Sequence, residues 1–154
     1  MSSLAGLLQE ALVDWDCHAT TVADFFKQKA QVLSTLGYVH ASFEAAISQR
    51  EQEYPTGLQL EHIAIAIPHT YVEHVQRPFV YVNRLVDQTL SFIQMGTDDV
   101  EVLPQYVLIL GIKDPKGQVA LLAELMELFA DETFVQRLCS VQTATAAYEL
   151  LKQY

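Results

Sequence analysis

The sequence predicts an α/β layered domain, with a mixed sheet of about five parallel and antiparallel strands flanked by helices on both faces. Three observations predict it. Helical periodicity occurs both before and after a central cluster of strand-like segments. One of those segments, Tyr106-Val107-Leu108-Ile109-Leu110-Gly111-Ile112, is apolar enough to sit centrally in a sheet. Another, Ile63-Ala64-Ile65-Ala66-Ile67, alternates isoleucine with alanine, giving a strand with one bulky face and one small face on which a helix can lie.

Taken in order, a short strand is expected at residues 12–15. A helix follows over 21–36, where Val22, Phe25, Phe26, Lys29, Leu33 and Leu36 share a face, Thr21 and Asp24 mark the start and Gly37 the stop. A second helix over 42–50 directs Phe43, Ala46 and Ile47 inward and ends near the turn signal Tyr54-Pro55-Thr56-Gly57. Strands are expected at 63–67, 79–82, 90–93 and 106–112, the first stopped by Pro68. Asp114-Pro115-Lys116-Gly117 reads as a turn before a helix over 118–129, with Leu121, Leu122, Leu125, Leu128 and Phe129 on one face. Asp131 caps another short helix, and residues 143–153 form the last, with Ala146, Ala147, Leu150 and Leu151 inward.

A chain of 154 residues with 51% hydrophobic content suits one domain over 1–154, and no Pro-, Gly- or Ser-rich linker divides it. The 19 acidic and 9 basic residues leave a formal charge of −10, which disfavours nucleic acid and favours basic protein partners. Cys17 and Cys139 form neither a disulfide framework nor a CxxC site, so a reducing cytoplasm fits. With no export signal and no apolar run of membrane-spanning length, a cytoplasmic protein without membrane insertion is expected.

Of the five histidines, His69 alone follows a strand-ending proline, where a side chain can be exposed on a rigid base. Neutral imidazole is a nucleophile near neutral pH, its unperturbed pKa being about 6.5. Phosphoryl transfer asks chiefly for in-line placement and positive or donor groups around the moving oxygens. The nearest cations in sequence are Arg50 and Arg77. A histidine in a loop is, however, more often solvated than catalytic. Metal chemistry is not expected, since His18, His40, His62, His69 and His74 lack an HExxH or similar spacing, and neither a GxSxG elbow nor a glycine phosphate loop is present.

Together, Arg50-Glu51, Tyr54-Pro55-Thr56-Gly57 and Ala64-Ile65-Ala66-Ile67-Pro68-His69 resemble the signature of the enzyme IIA domains of the bacterial sugar phosphotransferase system, in the fructose and mannitol superfamily. The resemblance extends over most of the chain. It implies a cytoplasmic phosphocarrier that needs no cofactor, takes a phosphoryl group from phospho-HPr and gives it to an enzyme IIB, which serves a membrane enzyme IIC. By the same resemblance His69 is the phosphorylated residue, at Nε2, and Arg50 is the arginine beside it that stabilises the phosphoryl oxygens. Thr56 is a candidate phosphate contact or a turn residue bonding its own backbone. Glu51 is expected to position Arg50 or to face solvent.

Relatives in the mannitol, fructose and nitrogen-related branches carry a second histidine where this chain has Gln118. A glutamine amide donates to a phosphoryl oxygen without charge, so Gln118 is a candidate neutral donor, and the pattern is most similar to the galactitol-type branch. The alternatives for Gln118 and for the whole chain are a plain polar helix residue and a nitrogen-type regulatory module whose phosphorylation controls a target protein. Tyr71 and Val72 are candidates for an apolar rim met by both partners in turn.

Overall fold

The computed structural model describes residues 3–154. A five-residue helix, α1 (Ser3–Leu7), leads into β1 (Leu8–Cys17), followed by α2 (Val22–Thr35), α3 (Phe43–Glu53), β2 (Gly57–Gln59) and β3 (Ala64–Ala66). A 3-10 turn (Val72–His74) then precedes β4 (Phe79–Leu85), β5 (Phe92–Ile93), β6 (Glu101–Val102) and β7 (Tyr106–Gly111). The helices α4 (Pro115–Ala130), α5 (Glu132–Ser140) and α6 (Ala144–Leu151) complete the order.

Five strands form one sheet in the order β1-β4-β7-β3-β2. The β1–β4 and β3–β7 pairs are parallel, and β4–β7 and β2–β3 antiparallel, so the sheet is mixed as expected. β7 lies at its centre and every one of its residues is buried.

The alternating isoleucines and alanines of β3 separate two cores. Ile63, Ile65 and Ile67 join Leu108 and Leu110 beneath α4–α6, against Leu121, Leu125, Phe129 and Phe134. Ala66 lies on the other face with Val107 and Ile109, under Phe25 and Phe26 of α2 and Phe43 and Ile47 of α3. Ala66 thus packs in one core with Phe43 and Ile47 of α3, the helix that carries Arg50 in its last turn.

Side-chain caps fix where the helices start. Thr21 Oγ1 accepts from Asp24 N–H at 3.0 Å, Asp131 Oδ1 from Thr133 N–H at 2.9 Å, and Thr143 Oγ1 from Ala146 N–H at 3.1 Å. Residues 114–117 are not a separate turn. Asp114 is itself the N-cap, its side chain accepting from Lys116 N–H at 3.2 Å, and Pro115 takes the first helical position, where no N–H is needed.

Two further departures from expectation have local causes. The expected strand over 90–93 is reduced to Phe92–Ile93 and pairs with β6 in a separate two-stranded ribbon. The fifth strand of the main sheet is instead β2, which begins inside the supposed turn at Gly57. A Cβ there would lie 2.6 Å from the Ile93 carbonyl oxygen, so only glycine lets β2 run beside that ribbon. Lys29 lies on the core-facing side of α2, as its spacing indicates, and its ammonium reaches Asp14 Oδ2 of β1 at 2.5 Å. Among the described residues no helix is long and apolar enough to cross a membrane.

Candidate active site

β3 leaves the sheet through Ile67 and Pro68, but the backbone does not leave it at once. Leu110 N–H donates to the Pro68 carbonyl at 3.0 Å, and His69 forms a parallel bridge with Leu110, which places it at the carboxyl end of β7. The imidazole is therefore only 7% exposed, not displayed on a loop as the proline suggested.

Its one hydrogen bond among the described residues sets its chemistry. His69 Nδ1 lies 2.8 Å from the Ile67 carbonyl oxygen, which can only accept, so Nδ1 carries the proton and Nε2 keeps its lone pair. Burial lowers the His69 pKa from its ordinary value, the Ile67 bond pulls the other way, and the charge of Arg50 adds to the lowering. The group at this position is thus a neutral imidazole with a fixed tautomer and a nucleophilic Nε2.

Arg50 stands in the last turn of α3, with its guanidinium carbon 4.2 Å from the ring centre of Tyr54 and 5.3 Å from that of Tyr71. Stacking on ring faces consumes no N–H donor, and the Arg50 side chain makes no hydrogen bond or ion pair among the described residues. Five donors are left for an anion. Arg50, Thr70, Tyr71 and His74 share a cavity of about 150 Å³. Thr70 is 4% exposed, and its hydroxyl has no partner among the described residues. Sequence reasoning passed over Thr70, since nothing in its residue type marks an orphaned hydroxyl.

Thr56 and Glu51 are found together. Glu51 neither faces solvent nor bonds Arg50: at 9% exposure it accepts Thr56 N–H on Oε2 at 2.7 Å and Thr56 Oγ1–H on Oε1 at 2.8 Å. Burial, opposed by those two bonds and by Arg50, pushes its pKa up to about 7.

Gln118 is half-buried in the second turn of α4, its N–H bonded to the Asp114 carbonyl and its side chain without a hydrogen bond among the described residues. Arg77 is committed elsewhere, donating to the Leu36 carbonyl at 2.9 Å and stacking on Tyr38. Beside the site Tyr71 is exposed and Val72 half-buried. A larger cavity, about 410 Å³, opens between α2, α3 and β5 and touches Glu51 from the far side, but His69 does not line it.

A neutral imidazole that feels the charge of an unpaired guanidinium suits acceptance of a phosphoryl group, although His69 itself does not line the cavity shared by Arg50 and Thr70. Residues 6–154 match the family described as phosphoenolpyruvate-dependent sugar phosphotransferase system, EIIA 2. The galactitol-specific EIIA component of Escherichia coli (strain K12) is 30% identical, over 75% of this chain and 81% of that protein. The crystal structure of IIA mannitol from Escherichia coli superposes with a TM-score of 0.71 at 22% identity, covering 94% of this chain and 98% of that one. That IIA has also been solved in complex with phosphorylated enzyme IIB, which gives the same score. Nitrogen regulatory protein IIA-Ntr from Neisseria meningitidis reaches 0.75 at 19% identity, covering 97% and 99%.

Proposed function

The chain belongs to the enzyme IIA family of the phosphoenolpyruvate-dependent sugar phosphotransferase system, whose members are phosphotransferases carrying a phosphohistidine, and from that premise we propose that His69 is the phosphorylated residue. The observation that carries this is the 2.8 Å bond from Nδ1 to the Ile67 carbonyl, which leaves Nε2 as nucleophile. In the forward step Nε2 attacks the phosphorus of phospho-HPr, one P–N bond breaking as the other forms, and neutral imidazole leaves on the donor. Enzyme IIB then takes the phosphoryl group from Nε2, as the mannitol complex of a IIA with its IIB supports by analogy. Membrane enzyme IIC uses it indirectly.

Arg50 stabilises the equatorial oxygens of the moving group in both steps. Gln118 is a neutral donor from α4, in the place of a second imidazole, and Thr56 serves the phosphoryl group through its bonds to Glu51. The domain spans residues 1–154 and works in the cytoplasm. Identity to the galactitol-specific component favours galactitol or a related polyol as the cargo, and favours transport over a regulatory module of the nitrogen type.

Incubation with phosphoenolpyruvate, enzyme I and HPr is expected to place an acid-labile, base-stable phosphate on the protein. The His69→Ala variant is expected to take none, and full labelling of that variant would remove His69 from the assignment.

A further inference from the structure

Arg50 and His69 stand on different elements, and a phosphoryl group can bridge them only if both are held in one frame. A continuous series of hydrogen bonds supplies it. Glu51, the residue after Arg50, accepts both the N–H and the hydroxyl of Thr56, at 2.7 and 2.8 Å. The Thr56 carbonyl accepts Ile67 N–H at 3.2 Å, and the Ile67 carbonyl accepts His69 Nδ1–H at 2.8 Å. The series starts beside one group of the site and ends on the other.

Glu51 makes an expensive anchor. It is 9% exposed and forms no ion pair among the described residues, and the nearby charge of Arg50 offsets the cost of its burial only in part. Both oxygens are directed at Thr56, across the Tyr54-Pro55 connection between α3 and β2. Without that clamp the last turn of α3 would be joined to β2 only by the Tyr54-Pro55 connection and side-chain packing, leaving Arg50 more room to shift.

We propose that Glu51 is a positioning residue for phosphoryl transfer, which through Thr56 and Ile67 fixes the His69 imidazole and its tautomer relative to the Arg50 guanidinium. The inference rests on His69 as the phosphoryl acceptor. Glutamine suits the same geometry, because its carbonyl oxygen accepts Thr56 N–H while its amide donates to Thr56 Oγ1, a hydroxyl being both donor and acceptor. Alanine leaves Thr56 unbound.

The test combines single-turnover transfer from phospho-HPr with ¹⁵N NMR of the unphosphorylated His69 ring. Glu51→Ala is expected to slow transfer by about 10- to 100-fold at little change in KM for phospho-HPr, and to turn the single Nδ1–H tautomer of His69 into a mixture. Glu51→Gln restores the rate to within about threefold of the unaltered protein and restores the tautomer. Thr56→Val slows transfer in the same direction and Thr56→Ser recovers it. A folded Glu51→Ala variant with unchanged rate and tautomer overturns the proposal, as does a Glu51→Gln variant as slow as the alanine. Should the alanine variant not fold, Thr56→Val decides, and an unchanged rate there overturns the proposal. Failure of the phosphoryl reading looks different: the unaltered protein takes no label, or His69→Ala takes it fully, whatever the tautomer, and the proposal falls with it.

Discussion

At the scale of single residues, the proposed site contains groups whose bonding capacity is left unused. Arg50 is stacked between two tyrosines with its donors free, so its loss removes both charge and a planar fork of N–H groups. Arg50→Ala is expected to slow phosphoryl transfer by about 100-fold or more while partner binding changes little, and Arg50→Lys to recover only part, because a point charge does not reproduce the fork. The alanine variant is also expected to raise the His69 pKa, since the guanidinium holds it down. An NMR titration of the ring checks the direction, and an unchanged or lower value would contradict it. Thr70 offers an opposite kind of test. Its buried hydroxyl has no partner, so Thr70→Val keeps the shape and removes an unsatisfied group, with an expected gain of about 1 kcal/mol in urea unfolding. A loss of stability would mean that the hydroxyl is bonded in solution.

At the scale of elements, the tie between α2 and β1 shows how a buried pair can be asymmetric. Lys29 is almost wholly buried, with its ammonium 5.0 Å from the Tyr81 ring centre, whereas the side chain of Asp14 is 33% exposed. Asp14→Ala strands a cation inside the protein and is expected to cost about 3 kcal/mol or more. Lys29→Met leaves a carboxylate that water still reaches, and is expected to cost less. Equal losses in denaturant unfolding would contradict this. Lys29 also marks what could be read in the sequence and what could not. Its position on the apolar face of α2 was plain from spacing, but its partner lies on another element and no periodicity predicts it. Long, periodic elements such as α2 and β7 were legible for the same reason. β2, with three residues, was not, because its membership of the sheet comes from pairing with β3 and from the space Gly57 leaves beside Ile93. The position of α1 likewise depends on tertiary contact, its Ser3 and Leu4 N–H groups donating to Glu124 of α4. His69 and Arg50 were legible as a motif. The Glu51–Thr56 clamp between them was not, since a turn motif does not say which side chains bond across it.

At the scale of the whole molecule, the sheet divides two cores and sets His69, just past β3, beside Leu110 of β7, where the proposed site lies. Two buried titratable groups there act on stability in opposite directions. Glu51, raised from 4.5 to about 7, holds a proton that the unfolded chain releases, so its contribution is full below 4.5 and is lost as the pH rises through about 7. His69, lowered from 6.5, contributes fully above 6.5 and loses that contribution as the pH falls toward its folded value. Glu51→Gln removes the first effect, worth on the order of 3 kcal/mol, and is expected to make stability between pH 5 and 8 rise with pH up to about 6.5 and level off above it, where the unaltered protein's is level or falls. Parallel curves for the two proteins, from urea unfolding across that range, would contradict the burial argument for Glu51.

The central claim, that the fold presents Nε2 of His69 to a phosphoryl donor, is tested most directly by ¹⁵N and ³¹P NMR of the protein phosphorylated through enzyme I and HPr. The expected result is a single phosphohistidine with phosphorus bonded to Nε2 of His69 and a proton kept on Nδ1. Phosphorus bonded to Nδ1, or to any other residue, would contradict the account.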